Sequence, residues 1–257
     1  MIVSSIHPAR QGVFFDIDGT LLPAPSLEWR FVAYLAAHDD ISVSQIGRWL
    51  IRSATLMHKG PHAAFVENKT YLRDLPESLV EMWRRSLSWS EIMTEGNGRS
   101  RLHFFDEAIE KLKCHANSGH RIFLLSGTLA PLARLVAARL SEILRVEIGV
   151  CASELLACGG FWTGELSGRH VSGKEKSQVI ARVARRHDLS LADSFSYADQ
   201  ISDAWALQAV GHPLAVNPSR RLLRYANGRG WTIHKWFWVD SLSSRPIPAP
   251  AHFQVGR

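Results

Sequence analysis

The chain has 257 residues, 46% of them hydrophobic, and a formal net charge of +6. That length and hydrophobic share support a sizeable core, in one domain or one domain carrying an insert. No run of about 18 apolar residues occurs, so no membrane-spanning helix is expected, and residues 1–5 lack the basic-then-apolar pattern of a secretory signal. Cys114, Cys151 and Cys158 are odd in number and form no Cys-x-x-Cys pair. They read as reduced thiols of a cytoplasmic protein. The positive charge is scattered, and its densest group, Arg182, Arg185 and Arg186, has the spacing of an exposed helix face. With no zinc-finger, ribonucleoprotein or basic-region pattern, no nucleic-acid partner is expected.

Residues 12–15 read as a buried strand, a short apolar and aromatic run stopped by Asp and Gly. Residues 21–25 leave the core through Pro23 and Pro25, and from 27 to about 95 the pattern becomes helical. Leu27, Phe31, Tyr34 and Leu35 form one apolar face, and Ile46, Trp49, Leu50 and Ser53 suggest another. Residues 65–72 and 79–87 suggest two more helices. Residues 96–100 read as a return linker. After it, 104–115 is helical, 121–125 is a buried strand ending at Ser126-Gly127-Thr128, and 129–140 is helical again. A hairpin is expected over 155–166, around Cys158-Gly159-Gly160. A helix follows over 174–187, a strand over 194–197 ending at Asp199, and a helix over 204–209. Alternating strands and helices predict an α/β protein whose parallel sheet is covered on both faces. The tail from 241, with Pro246, Pro248 and Pro250, is expected to be extended or disordered.

In an open α/β sheet, ligands bind at the carboxyl ends of the strands. Four sequence features fall at such ends. Asp16 and Asp18 are carboxylates two residues apart where a strand gives way to a turn, an arrangement that suits metal-assisted phosphoryl transfer. Ser126 and Gly127 offer a hydroxyl and backbone N–H groups to phosphate oxygens. Lys174 or Lys176 supplies a point charge at a helix start. Asp199 and Asp203, across another strand-to-helix turn, are oxygen ligands of the kind a hard cation needs. Each feature alone is an ordinary turn, cap or surface residue; the four together, in this order, point to one site.

These residues resemble the haloacid dehalogenase-like superfamily, and within it the branch that contains phosphoserine phosphatase. The first motif matches as Asp16-x-Asp18-Gly19-Thr20 and the second as Leu125-Ser126-Gly127-Thr128. The third is Gly173-Lys174-Glu175-Lys176 and the fourth runs from Tyr197 through Asp199 to Asp203. The hairpin end Phe161-Trp162-Thr163-Gly164 and the stretch from Val210 to Pro218 match the same branch. The resemblance implies a Rossmann-like core over 1–22 and 97–240, with an all-helical cap over 23–96 inserted after the first motif. It implies Mg²⁺ held by Asp16, Asp18 through its carbonyl, and Asp199, with Ser202 and Asp203 in support. It also selects Lys176 over Lys174. Asp16 would be the nucleophile and Asp18 the general acid and base. Gln200 departs from the pattern, standing where relatives commonly carry Gly or Ser.

The function implied is a phosphatase acting on a small phosphorylated metabolite through an aspartyl-phosphate. A phosphotransferase, or a silent domain that binds phosphorylated ligands, is the alternative. Asp18 favours hydrolysis, since the superfamily's ATPases carry Thr at that position. Cap residues should read the leaving group. Glu28, Arg48, Arg52 and Arg73 are the polar candidates, and Glu28 corresponds loosely to a Glu that binds the substrate amine in phosphoserine phosphatases. Trp29, Trp49, Trp83 and Trp89 are expected to pack the cap's own core. Trp231, Trp236, Phe237 and Trp238 are expected to pack the last strand onto the sheet rather than to seat the protein on a membrane.

Overall fold

The computed structural model describes residues 10–89, 101–239 and 246–247. In chain order β1 (Arg10–Phe15) is followed by helices α1 (Leu27–Ala37), α2 (Val43–Leu56) and α3 (Ser78–Ser86). Two short strands, β2 (Ser88–Trp89) and β3 (Arg101–Leu102), pair in parallel where the chain returns. Then come α4 (Asp106–Asn117), β4 (Arg121–Leu129), α5 (Ala130–Leu144) and β5 (Ile148–Ser153). The antiparallel hairpin β6 (Leu155–Cys158) and β7 (Phe161–Leu166) precedes α6 (Lys174–His187) and β8 (Leu189–Ala198). The chain continues through α7 (Ala204–Gln208), β9 (His212–Val216), α8 (Arg220–Asn227) and β10 (Thr232–His234). A last antiparallel pair joins β11 (Trp238–Val239) to β12 (Pro246–Ile247).

Six strands form one all-parallel sheet in the order β10-β9-β8-β1-β4-β5. Central parallel strands are covered on both faces, so β1 is apolar at successive positions rather than at alternate ones. Val13 and Phe15 face one side, with Leu124, Tyr197 and residues of α4 and α5. Phe14 faces the other, with Phe123, Val179 and Ile180. The rings of Phe15 and Tyr197 stack at 4.1 Å, and those of Phe14 and Phe123 at 5.4 Å. Behind Tyr197, its hydroxyl lies 2.7 Å from His115 Nε2, and His115 Nδ1 lies 2.9 Å from His120 Nδ1. Trp236 is buried with its ring 6.0 Å from Tyr197, as expected of a residue packing the chain's end onto the sheet.

Between β1 and β2 the regular elements are helices and helical turns. The apolar face of α1 is buried at Leu27, Phe31, Tyr34 and Leu35, as its spacing predicts. Of the expected face of α2 only Ser53 is buried: Ile46 and Leu50 are exposed, Trp49 is half-buried, and Gln45 is buried beside Ser53. A polar network explains this. Ser53 Oγ donates to the Ala64 carbonyl (2.9 Å), Asn68 Nδ2 donates to Ser53 Oγ (2.9 Å), and Gln45 Nε2 donates to the Arg73 carbonyl (3.1 Å). Residues 65–72, expected as one helix, instead form a π turn (Ala63–Glu67) and a 3₁₀ turn (Thr70–Leu72). Of the tryptophans expected inside, Trp83 is fully buried, Trp49 is half-buried and Trp29 is 62% exposed.

The β6–β7 hairpin reaches this helical segment. Asp74 N–H donates to the Trp162 carbonyl (2.8 Å), and Trp162 N–H donates to the Leu75 carbonyl (2.9 Å). Gly164 sits at φ +78, and a Cβ there would stand 3.0 Å from Thr70 Cα, so only glycine permits this approach. Strand β4 runs past its expected end at Ser126 to Leu129, with its pairing to β5 interrupted between Leu125 and Leu129. Strand β8 is longer than the expected 194–197. The sequence reading did not assign β5, β9, β10 or α8. The expected linker at 96–100 lies outside the described residues, as does the expected tail apart from Pro246–Ile247.

Candidate active site

The carboxyl ends of β1, β4 and β8 converge with the start of α6 on a buried charged cluster. Asp16 follows β1 directly, and its backbone N–H donates to the Tyr197 carbonyl of β8 (3.0 Å). Lys176, in the first turn of α6, is buried, and its ammonium reaches Asp16 Oδ1 and Asp203 Oδ1, each at 2.7 Å. Lys174 is exposed. Asp199 follows β8 and is fully buried; its Oδ2 accepts a hydrogen bond from Gln200 Nε2 (2.7 Å). The long side chain at position 200 therefore steadies the Asp199 carboxylate. Ser202 is exposed beside buried Asp203.

Gly19 closes the turn after Asp18 at φ +82, and its N–H donates to the Leu22 carbonyl (2.7 Å). A Cβ at position 19 would fall 2.2 Å from Asp199 Oδ2. The residue is glycine both for the left-handed backbone and for the approach of that carboxylate. Asp18 Oδ1 accepts from the Leu27 N–H (2.6 Å) at the start of α1. The acid is thereby tied to the helical segment's first turn. Arg30 braces the crossover between them, donating to the carbonyls of Pro23 (3.0 Å) and Pro25 (2.9 Å). Ser126 is buried and its Oγ accepts from the Thr128 N–H (3.2 Å). Ser153 Oγ donates to the Gly127 carbonyl (3.0 Å), which fixes the Ser126-Gly127 turn to the end of β5.

Burial dominates the electrostatics. It raises the Asp16 carboxyl well above the ordinary carboxylate range, with Lys176 opposing and Asp203 and Asp199 adding to the rise. Burial alone would lower the Lys176 ammonium, but Asp16 and Asp203 outweigh it and hold the lysine charged. Asp18 is pushed up to about 6 by burial, against the Leu27 N–H, with Glu28 and Asp199 adding to the rise. Oxygens of Asp16, Asp199 and Asp203 lie within 4.8 Å of one another. Ionised, these three carboxylates carry one charge each against the single ammonium in contact with them, leaving the buried cluster short of positive charge. An all-oxygen donor set with that deficit fits a hard divalent cation such as Mg²⁺.

The polar candidates of the helical segment separate into two groups. Glu28 comes to the site side, where Lys69 Nζ donates to its Oε1 (2.5 Å) and the Tyr71 hydroxyl donates to the same oxygen. Arg48, Arg52 and Arg73 do not join the buried cluster. They are exposed and pair with Asp74 (3.3 Å), Glu165 (3.9 Å) and Asp74 (4.0 Å) respectively. Long cationic side chains on this surface keep their charge in water and take acidic neighbours there, which places Arg52 and Arg73 outside the buried cluster. The sequence reading missed buried Lys69 and His170 and half-buried Tyr71. A lysine within the apolar-patterned stretch 63–72 was the available signal for the first. His170 carried no local signal, because only the fold brings it to the Ser126-Gly127 turn.

Comparison with known proteins agrees with this geometry. Residues 13–208 match the family described as haloacid dehalogenase-like hydrolase. A probable phosphatase of Mycobacterium tuberculosis is 30% identical over 253 residues, covering 95% of this chain and 81% of that protein. A phosphoserine phosphatase of the same organism is 32% identical over 255 residues, covering 95% and 76%. A solved phosphoserine phosphatase structure, an analogue of its phospho-aspartyl intermediate, superposes with a TM-score of 0.55 at 17% identity, over 88% of this chain and 93% of that one. The chain belongs to the haloacid dehalogenase-like hydrolase family. Within it the chain lies on the phosphoserine phosphatase-like branch, as an enzyme of the phosphatase class.

Proposed function

We propose that the protein hydrolyses a small soluble phosphomonoester, with Mg²⁺, through an aspartyl-phosphate formed on Asp16. The observation that carries this reading is the buried contact of Lys176 with both Asp16 and Asp203 at 2.7 Å, beside an Asp18 held near the start of α1. In the first half-reaction an Asp16 oxygen attacks phosphorus and the bond from phosphorus to the ester oxygen breaks. Protonated Asp18 gives its proton to the departing alkoxide. In the second, water attacks phosphorus, Asp18 takes its proton, and the bond from phosphorus to Asp16 breaks to release phosphate. Lys176 and the Ser126 hydroxyl, with backbone N–H groups of the turn, neutralise the phosphoryl oxygens. Asp16, Asp199 and Asp203, with the Asp18 carbonyl, are the groups that would hold Mg²⁺. When bound, that ion adds positive charge against the transferred phosphoryl group.

The segment over 23–96 serves as a cap in this reading, and its chemistry bears on the leaving group. Glu28 Oε1 accepts from both Lys69 and Tyr71, so its charge is met within the chain by one ammonium while Oε2 keeps acceptor capacity. Free cysteines and the absence of a membrane-length apolar helix among the described residues accord with action in the cytoplasm.

Phosphate release from a panel of phosphomonoesters, with and without Mg²⁺, tests the proposal when wild type is run beside Asp16→Asn. Mg²⁺-dependent release lost in the variant supports it. Release that persists in Asp16→Asn contradicts it. Product transferred to an added alcohol in place of water would make the enzyme a phosphotransferase.

A further inference from the structure

A second group of ligand-type side chains stands outside the carboxylate cluster. His62, Glu67 and His170 each offer one ligand atom, and these atoms lie within 4.8 Å of one another. His62 and Glu67 belong to the helical segment; His170 belongs to the loop between β7 and α6. The π turn Ala63–Glu67 is what joins the first two. Residues five apart point to different sides of an α-helix of 3.6 residues per turn, whereas a π turn, with its i→i+5 hydrogen bonds, draws them together. His62 Nε2 is 3.7 Å from Glu67 Oε1 and 3.1 Å from Ser172 Oγ. The His62 and His170 rings meet edge to face with centroids 5.5 Å apart.

His170 is preorganised, and one of its ring nitrogens is unpartnered. Its loop is pinned by the Val171 N–H donating to Ser153 Oγ (3.0 Å) and the Ser172 N–H donating to the His170 carbonyl (2.9 Å). The residue is 8% exposed, and its Nδ1 is buried with no hydrogen-bond partner among the described residues. Leaving a buried ring nitrogen unpaired is unfavourable, so such an atom invites a ligand.

We propose that His62, Glu67 and His170 form a binding site for a borderline divalent cation, best matched by Zn²⁺, that ties the helical segment to the core beside the Ser126-Gly127 turn. Two imidazoles and one carboxylate are a donor set that suits Zn²⁺, with a fourth position left for water. The carboxylate cluster of Asp16, Asp199 and Asp203 is all oxygen and suits Mg²⁺, so the two sites select different ions by ligand chemistry. Zinc–ligand bonds of about 2.0–2.1 Å place tetrahedral ligand atoms roughly 3.3 Å apart. The 3.7 Å between His62 and Glu67 needs only a small rotation, and both side chains are exposed enough to make it. His62 would exchange its contact with Ser172 for the ion. The site adjoins the active-site turn: His170 Cε1 stands 2.9 Å from where a Gly127 Cβ would be. Occupancy would couple the segment's position to that turn, raising thermal stability and, if the segment acts as the proposed cap, slowing turnover.

The test is calorimetric titration of Zn²⁺ into the full chain with Mg²⁺ in millimolar excess, for wild type, His62→Ala and Asp199→Asn. His62 is exposed, so its replacement leaves the fold intact, which a thermal melt in the absence of zinc verifies. The expected result is one equivalent bound by wild type, weakened at least about tenfold in His62→Ala and unchanged in Asp199→Asn. X-ray absorption of the wild-type complex should show two imidazole nitrogens. No uptake, equal uptake by His62→Ala, or uptake lost with Asp199→Asn overturns the proposal. Because binding is read without turnover, failure here is distinct from failure of the phosphatase reading.

Discussion

The strand ends and the helical segment of this molecule solve the burial of charge in opposite ways. At the strand ends, Asp16, Lys176, Asp199 and Asp203 are all buried and meet one another within hydrogen-bonding or ligand distance. On the helical segment, Arg48, Arg52 and Arg73 remain in water and pair loosely across 3.3–4.0 Å. Glu28 and Lys69 are the exception, a buried lysine paired with a half-buried carboxylate within otherwise solvated charge. In the proposed reading, chemistry common to every substrate is held by side chains anchored at the sheet. Recognition falls to the helical segment.

That contrast predicts a hierarchy of effects. Asp16→Asn should lower phosphate release by roughly 10⁴-fold or more, since removal of a nucleophile abolishes the pathway it serves. A loss of less than tenfold would remove Asp16 from its role. Gly19→Ala should be nearly as damaging, because its Cβ would enter Asp199 and the left-handed backbone itself costs about 1–3 kcal/mol. Both turnover and the denaturation midpoint should fall, and a folded, active Gly19→Ala would show that the turn can relax. Lys69→Met leaves Glu28 partly buried without its cation and should cost on the order of 3 kcal/mol. Substituting both members (Lys69→Met with Glu28→Leu) should recover much of that loss in chemical denaturation, and additive losses would deny the coupling. Arg52→Ala should change stability by no more than about 1 kcal/mol, as exposed ion pairs do, and should leave the rate unaltered.

A pH effect separates the core from both regions. Burial, with His120 and Lys111 nearby, lowers the His115 imidazolium to about 4. The neutral ring is the folded form, so the stability it contributes is complete above the unfolded value of about 6.5. It is lost as pH falls from there towards 4. Denaturation midpoints should decline over that window, and less steeply in His115→Gln; equal slopes would show that His115 keeps its proton balance on unfolding.

The three central strands β8, β1 and β4 and the cluster at their ends could be read from sequence because these strand ends are marked locally. An apolar run stopped by Asp16, Asp18 and Gly19 announces both a buried strand and the turn that follows it. The same holds for Leu124 to Gly127 and for Tyr197 to Asp199. The extension of β4 to Leu129 was not legible, since Ser126 and Gly127 read as a turn while the backbone continues along the sheet. The helical segment was legible only where burial follows periodicity, as in α1. In α2 the apolar stripe of Ile46 and Leu50 faces outward, because Ser53, Gln45 and Asn68 bury a hydrogen-bonded network instead. Lys69, Tyr71 and His170 depend on contacts between distant parts of the chain, such as the 41-residue separation of Lys69 from Glu28. No local pattern encodes those.

The central claim is that Asp16 becomes phosphorylated during turnover, and it is tested most directly by acid quench of the enzyme with its best ester, followed by mass analysis of the peptide that contains Asp16. The Asp18→Asn variant, in which hydrolysis of the intermediate is slowed, is the form to use. A phosphorylated peptide modified at Asp16, absent from Asp16→Asn, is the predicted result. Full phosphate release with no modified peptide at any quench time would mean that water attacks the ester directly, and would contradict the account.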